Sequence, residues 1–328
     1  MTRLNLTLAA LLLLAALLAL ATGPDGVSPS LFAGWLGGHD PAAAIILADI
    51  RLPRVLSAAV VGASLGLCGA ALQGLTRNPL AEPGILGVSA AATLGATLTL
   101  YFGLAALFPW ALPLGAIAGA ALATLLLASA AVRTQSMASL ILVGVGLSSL
   151  AGALMALILN FAPNPFSLSD LVNWTLGSVA NRSLADLAMT APLILVGALF
   201  LFAQRANLSL LTLGETAAAA HGLDVRRTRI AIVAGTGIAT GAAVALAGAV
   251  GFVGIVAPHL VRPWTGHDPG RTLAPSAWLG ALLLVLADLV VRILPTDNEL
   301  RLGVVAALAG APVFTLIVLR RGRGGAHD

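Results

Sequence analysis

The chain contains no lysine; all seventeen of its basic residues are arginine. No Gly-x-x-x-x-Gly-Lys phosphate loop can therefore exist in it, and it cannot itself be a nucleotide-driven pump of the Walker type. If ATP drives its work, a separate subunit binds that ATP. Charge of either sign is scarce at 9% of residues, and aromatics are scarcer at 5%. Cysteine occurs once, at Cys68 inside an apolar run, so there is no disulfide framework. Few methionines and scattered histidines (His39, His221, His259, His267 and His327) leave no metal-ligand spacing, and no cofactor is implied.

What the chain has instead is hydrocarbon. It is 59% hydrophobic over 328 residues, with a mean hydropathy of +1.01. A helix crossing the bilayer core needs roughly 20 apolar residues. On that measure the sequence predicts about ten spans. They lie near Leu4–Thr22, Arg54–Leu75, Ile85–Leu107, Trp110–Val132, Ser139–Asn160, Leu184–Gln204, Arg229–Ala249, Val250–Trp264, Ala274–Leu294 and Leu302–Leu319. These are long continuous runs rather than alternating ten-residue strands, which excludes a β-barrel. The expected fold is an all-α polytopic membrane protein, one transmembrane domain over residues 1–328. Met1-Thr2-Arg3 and the apolar run ending Ala19-Leu20-Ala21 have the outline of a secretory signal, but the first span is read as retained.

Orientation follows from arginine placement. With both termini in the cytoplasm, twelve of the seventeen arginines lie inside. Arg51, Arg54, Arg182, Arg292 and Arg301 lie outside, in agreement with the positive-inside rule. The net charge of +4 thus reflects topology rather than nucleic-acid binding.

Small residues recur at four-residue spacing: Gly62, Gly66, Ala70, Gly74; Gly144, Ser148, Gly152, Ala156; and Gly237, Gly241, Ala245. Such stripes let membrane helices approach closely. Two segments break the helical pattern. One is Thr76–Gly84 with Pro79 and Pro83; the other is Gly251–His259 with Gly254 and Pro258. Paired Gly/Pro interruptions point to a transport path. The longest cytoplasmic stretch, residues 205–229, carries Thr212-Leu213-Gly214-Glu215, read as a capping box opening a short helix Glu215–His221 that stops at Gly222. An exposed capped helix there has the form of a docking knob, or of an ordinary surface loop.

Several ordered motifs carry a family resemblance. They are Arg51-Leu52-Pro53-Arg54, the run from Gln73 to Ser89 containing Arg77-Asn78-Pro79-Leu80-Ala81-Glu82-Pro83-Gly84, and Leu213-Gly214-Glu215. Gly251-Phe252-Val253-Gly254 with Pro258-His259, Gly303-Val304-Val305 and Gly310-Ala311-Pro312-Val313-Phe314 complete the set. Together they resemble the FecCD-type permeases, membrane subunits of ATP-binding-cassette importers for iron-siderophores, haem and cobalamin.

The resemblance implies a type II ABC importer permease fold with about ten transmembrane helices per subunit, in the bacterial inner membrane. It implies a homodimer, or a pair with a homologous permease, around a shared path. Two cytoplasmic ATPase subunits and a periplasmic or lipid-anchored binding protein are the implied partners. Leu213, Gly214, Glu215, Ala219, His221 and Gly222 would form the ATPase-coupling knob, with His221 where many relatives have Leu. Arg301 likewise replaces a common Pro in Asn298-Glu299-Leu300-Arg301. Arg51, Arg54 and Arg292 would receive carboxylates of the binding protein, although Asp288 lies one turn before Arg292 and can pair with it internally. Asn78 and Leu80, with Met137 and Ala138 in the Gln135–Ser139 loop, would form the cytoplasmic gate. Asn160, Asn164 and Asn173 border the expected entrance.

Two rival readings belong to other classes. A proton-coupled transporter acting alone needs titratable groups along the path, and the sequence places Asp288 inside a span. An intramembrane hydrolase needs a nucleophile and base, and His-Glu-x-x-His is absent.

Overall fold

The computed structural model describes residues 2–23, 26–38, 40–108, 110–134, 136–294 and 299–324. In chain order the helices are α1 (Thr2–Ala21), α2 (Pro29–Leu36), α3 (Pro41–Ile45), α4 (Leu52–Thr76), α5 (Val88–Tyr101), α6 (Ala111–Arg133), α7 (Met137–Asn160) and α8 (Pro165–Thr175). They continue as α9 (Leu184–Ala203), α10 (Arg205–Leu210), α11 (Glu215–Ala220), α12 (Val225–Ala247), α13 (Val253–Val261), α14 (Pro269–Ile293) and α15 (Leu302–Gly324). A two-residue ribbon pairs Thr22–Gly23 with Gly26–Val27.

The ten expected spans correspond to α1, α4, α5, α6, α7, α9, α12, α13, α14 and α15. Among the described residues seven helices are long and apolar enough to cross a membrane unaided. Two passes fall short of that length. α5 has 14 residues and rises about 21 Å, and α13 has nine and rises about 14 Å, against a core about 30 Å thick. The last pass, α15, is apolar over Leu302–Val313 among the described residues.

The starts are set by local chemistry. Asp224 and Asp268 accept the backbone N–H of Arg227 and Arg271 and cap α12 and α14. Ser183 and Asp186 form a reciprocal capping box on α9. Each such cap contributes about 1 kcal/mol. α4 continues a π-helical turn at Ile46–Arg51, and Pro53, which has no N–H to donate, sits where that turn gives way to α-helix.

The small-residue stripes are the packing surfaces. Gly62 and Gly66 of α4 meet Gly280 and the Ser276 carbonyl of α14 so closely that a Cβ on either would overlap backbone atoms. Gly95 of α5 faces Gly115 of α6, Gly197 of α9 faces Gly235 of α12, and Gly237 and Gly241 of α12 press on Thr124 and Ala120 of α6. The second stripe differs. Gly144 packs on Ile85 and Leu86 rather than on another helix, and a Cβ added at Gly152 would meet nothing within 4 Å beyond its own helix. Gly66→Ala is accordingly expected to destabilise by about 1–3 kcal/mol, read as earlier thermal unfolding in detergent. Gly152→Ala should leave the melting curve in place; equal behaviour of the two would count against this packing.

Candidate functional site

The two broken segments meet. After α4 the chain runs through successive turns from residue 77 to 87, with Pro79 and Pro83 supplying no donor and Gly87 at φ +77°. After α12 it runs irregularly to Phe252, itself left-handed at φ +67°. Glu82 Oε2 accepts the Phe252 N–H at 3.3 Å and so caps the start of α13. Ser148 of α7 holds the first segment through its hydroxyl to the Gly84 carbonyl at 3.0 Å. Irregular backbone inside a membrane domain is stable only where protein or a water-filled cavity satisfies it.

Pro258 explains Gln73. Lacking an N–H, Pro258 leaves the Gly254 carbonyl, four residues earlier, without its helical donor. The buried Gln73 side chain supplies it, its Nε2 lying 3.3 Å from Gly254 O and 3.5 Å from Ile255 O. Its Oε1 accepts from Arg262. Around the two segments opens a cavity of 490 Å³, walled by Glu82–Gly84, the start of α5, the 148–159 face of α7 and residues 249–254.

The residues expected to couple to an ATPase form a knob. α11 exposes Ala219, while His221 and Gly222 at its end and Leu213 before it are exposed too, Leu213 by 58%. Ala218 alone is buried, in a cluster shared with Leu75, Ala81, Leu140 and Leu211. Gly222, at φ +86°, ends α11 in a Schellman motif, with Gly222 N–H to Ala219 O and Leu223 N–H to Ala218 O. The expected capping box is corrected: Gly214 stands at the cap with φ +97° and no side-chain bond, while the Thr212 hydroxyl turns back to Ser209 O.

Glu215 is the knob's tie to the body. Its Oε1 meets Arg229 Nη2 of α12 at 3.2 Å, and Arg229 Nη1 donates to Thr134 O at 3.0 Å, at the end of α6. Thr134 adjoins the expected gate loop. Met137 packs on the same cluster as Ala218, and Ala138 is exposed; Gln135 lies outside the described residues. Asn78 serves its own turn, its Oδ1 accepting the Leu80 N–H at 3.0 Å, and Leu80 is half-buried.

At the opposite end the arginines expected to receive the binding protein's carboxylates are engaged within the chain. Arg54 is held by Asp288 at 2.8 Å and Glu299 at 2.6 Å. Arg292 Nε donates to Asp288 at 2.9 Å. Arg51 and Arg292 donate to the Leu20 and Ala19 carbonyls, closing the C-terminus of α1 where cations are favoured. Asp288 is 1% exposed. The internal pairing of Arg292 is what the structure shows, and it extends to Arg54 through a residue 234 positions away. Arg182 stacks on Trp174 at 5.2 Å; burial lowers its pKa from the ordinary value, with Asp186 opposing. Asn164 caps α8 and Asn173 bonds Ser169. His39, Asn298 and His327 lie outside the described residues.

Glu82, Gln73 and Glu299 were not singled out by sequence reasoning as site residues. Gln73 was visible as a polar residue inside an apolar helix, and Glu82 as an acid between two prolines.

A many-helix body with an exposed short helix at one end and a cavity between broken helices is the build of a membrane transport subunit. The model of the FecCD transport family matches residues 11–320, and the chain belongs to that family. It is 42% identical over 299 residues to the ABC transporter permease protein YvrB of Bacillus subtilis, covering 90% of this chain and 84% of that one. It is 40% identical over 319 residues to the vitamin B12 import system permease protein BtuC of Salmonella typhimurium, covering 97% and 95%. A solved structure of a metal-chelate type ABC transporter in an inward-facing conformation superposes with a TM-score of 0.88 at 30% identity, over 98% of this chain and 100% of that one. The fold is that of type II ABC importer permeases, and the chain is a transport component whose ATPase resides in a separate subunit.

Proposed function

We propose that the chain is one of two permease subunits that carry an iron-siderophore, or a related metal chelate such as haem or cobalamin, across the bacterial inner membrane. Both termini and α11 lie on the cytoplasmic side, where two ATPase subunits grip the α11 knobs. A periplasmic or lipid-anchored binding protein delivers cargo at the end bearing Arg54 and Glu299. The second subunit, a further copy or a homologous permease, faces α7, which buries only Leu140, Gly144, Ala151 and Ile158 within its own subunit.

The observation that carries this reading is the exposed α11 helix joined through Glu215 and Arg229 to the end of α6, beside the gate loop. A motor can drive a passive gate only if its states prefer different gate conformations, and a bonded tie between grip and gate provides for that. The chelate class is supported by the likeness to BtuC and to the metal-chelate type transporter.

Asp288 argues against the proton-coupled alternative. Both its oxygens face guanidinium groups, Oδ1 that of Arg54 and Oδ2 that of Arg292, and a relay needs a carboxylate free to exchange its proton.

The test is to identify the ligand held by the cognate binding protein and then follow its uptake into vesicles holding permease and ATPase. Accumulation that requires ATP and both partners is expected. Accumulation by the permease alone on a proton gradient would overturn the proposal.

A further inference from the structure

The arginines at the end opposite α11 divide into two groups. Arg51, Arg54 and Arg292 have acceptors within the chain, whereas among the described residues Arg182 and Arg301 bond none. Both line one pocket of 260 Å³, set between the ends of α5 and α8, the start of α6, the 178–182 turn and the start of α15. Two donors of its lining residues are buried without an acceptor, Trp174 Nε1 and Arg182 Nε. Trp174 is 8% exposed, and its ring stacks under the Arg182 guanidinium at 5.2 Å, which positions that charge without neutralising it. Buried donors left unpaired are costly, so this wall is short of acceptors.

The acids nearby are committed or outnumbered. Glu299 pairs with Arg54, and Asp186 serves the capping box of α9. Asp170 is the one acid in the wall among the described residues; it is exposed and forms an ion pair with neither arginine. Two guanidinium groups thus face one carboxylate. The backbone at position 301 does not call for arginine. Its carbonyl takes the N–H groups of Val304 and Val305 at the start of α15, and its side chain bonds nothing described.

Size and place narrow the occupant. The volume lies below the roughly 300–1,000 Å³ of sites that hold drug-sized ligands, so it suits a single carboxylate group rather than a whole chelate. The pocket lies among loops at the end where a delivering protein sets down.

We propose that the Arg182–Arg301 pocket is a socket for an acidic side chain of the substrate-binding protein, an anchor separate from the Arg51, Arg54 and Arg292 cluster. The inference rests on the transport reading above and deepens it by assigning residues that hold the delivery partner. Guanidinium–carboxylate pairing fixes orientation as well as affinity. Charge complementarity at a rim also speeds arrival.

The experiment measures binding of the cognate binding protein to the permease–ATPase complex in lipid nanodiscs, at low and physiological salt. Arg301→Gln is expected to weaken binding by about tenfold or more and to flatten its salt dependence. Arg301→Lys keeps the charge and should lose less. Each surface Asp or Glu of the binding protein, replaced in turn by its amide, is then combined with Arg301→Gln. One acid is expected whose loss costs little further once Arg301 is gone. A merely structural role for Arg301 would weaken binding without singling out any acid. Losses that add for every acid overturn the proposal and leave the transport reading standing. So does wild-type affinity in Arg301→Gln, the result expected if a free anion or a lipid phosphate fills the pocket. A wild-type complex that binds no substrate-binding protein overturns both.

Discussion

Replacing Arg229 by alanine is expected to cut cargo uptake by between about fivefold and a hundredfold, the usual span of coupling between two sites, while partner subunits continue to hydrolyse ATP. Arg229 is 3% exposed, and its guanidinium spans from Glu215 on the knob to the Thr134 carbonyl at the end of α6. Without it, displacement of α11 reaches the proposed gate loop through the apolar cluster around Ala218 and Met137. Arg229→Lys should not rescue, because one ammonium cannot hold two acceptors in the guanidinium's fixed fork. Glu215→Gln keeps an oxygen for Arg229 and loses the charge, so its effect should be smaller. Two sites on one path should combine non-additively, and the double variant is expected to be no worse than Arg229→Ala alone. Uptake per ATP hydrolysed, measured in vesicles, decides this. A wild-type ratio in Arg229→Ala would remove the tie from the mechanism.

How far the sequence could be read follows from the range of each interaction. The ten passes were legible because a crossing is a local property, about 20 apolar residues in a row. The α11 knob and its glycine stop were legible for the same reason, since a Schellman end is written within a few residues. Its cap was misread because Thr212 had two local partners available, and its hydroxyl took the Ser209 carbonyl behind it. The short passes were visible as Pro/Gly interruptions, yet nothing in the spacing said that residues near 82 and 252 would share one cavity. Their contact spans 170 residues. The arginine cluster shows the same divide within one site. Arg292 and Asp288 are four apart on one helix and were readable, whereas Arg54 finds Asp288 from 234 residues away.

This internal staple should be sensitive to loss of the Asp288 carboxylate. Asp288→Ala leaves the Arg292 side chain, 5% exposed, without its counter-charge and deprives Arg54 of one of two acids. Breaking a buried pair from one side costs about 3–5 kcal/mol, because the remaining charge is left desolvated. Arg292 also holds the end of α1 through the Ala19 carbonyl, and Arg54 belongs to α4, so the loss should spread to α1, α4 and α14 together. Removing both charges in Asp288→Leu with Arg292→Met should recover more than half of the lost stability, as expected when apolar groups replace a buried pair. Thermal unfolding of purified subunits in detergent reads both outcomes. Asp288→Asn separates structure from proton transfer: a staple predicts lowered stability with ATP-driven uptake retained by the folded fraction. A relay predicts lost uptake at unchanged stability, and that result would return Asp288 to the transport path.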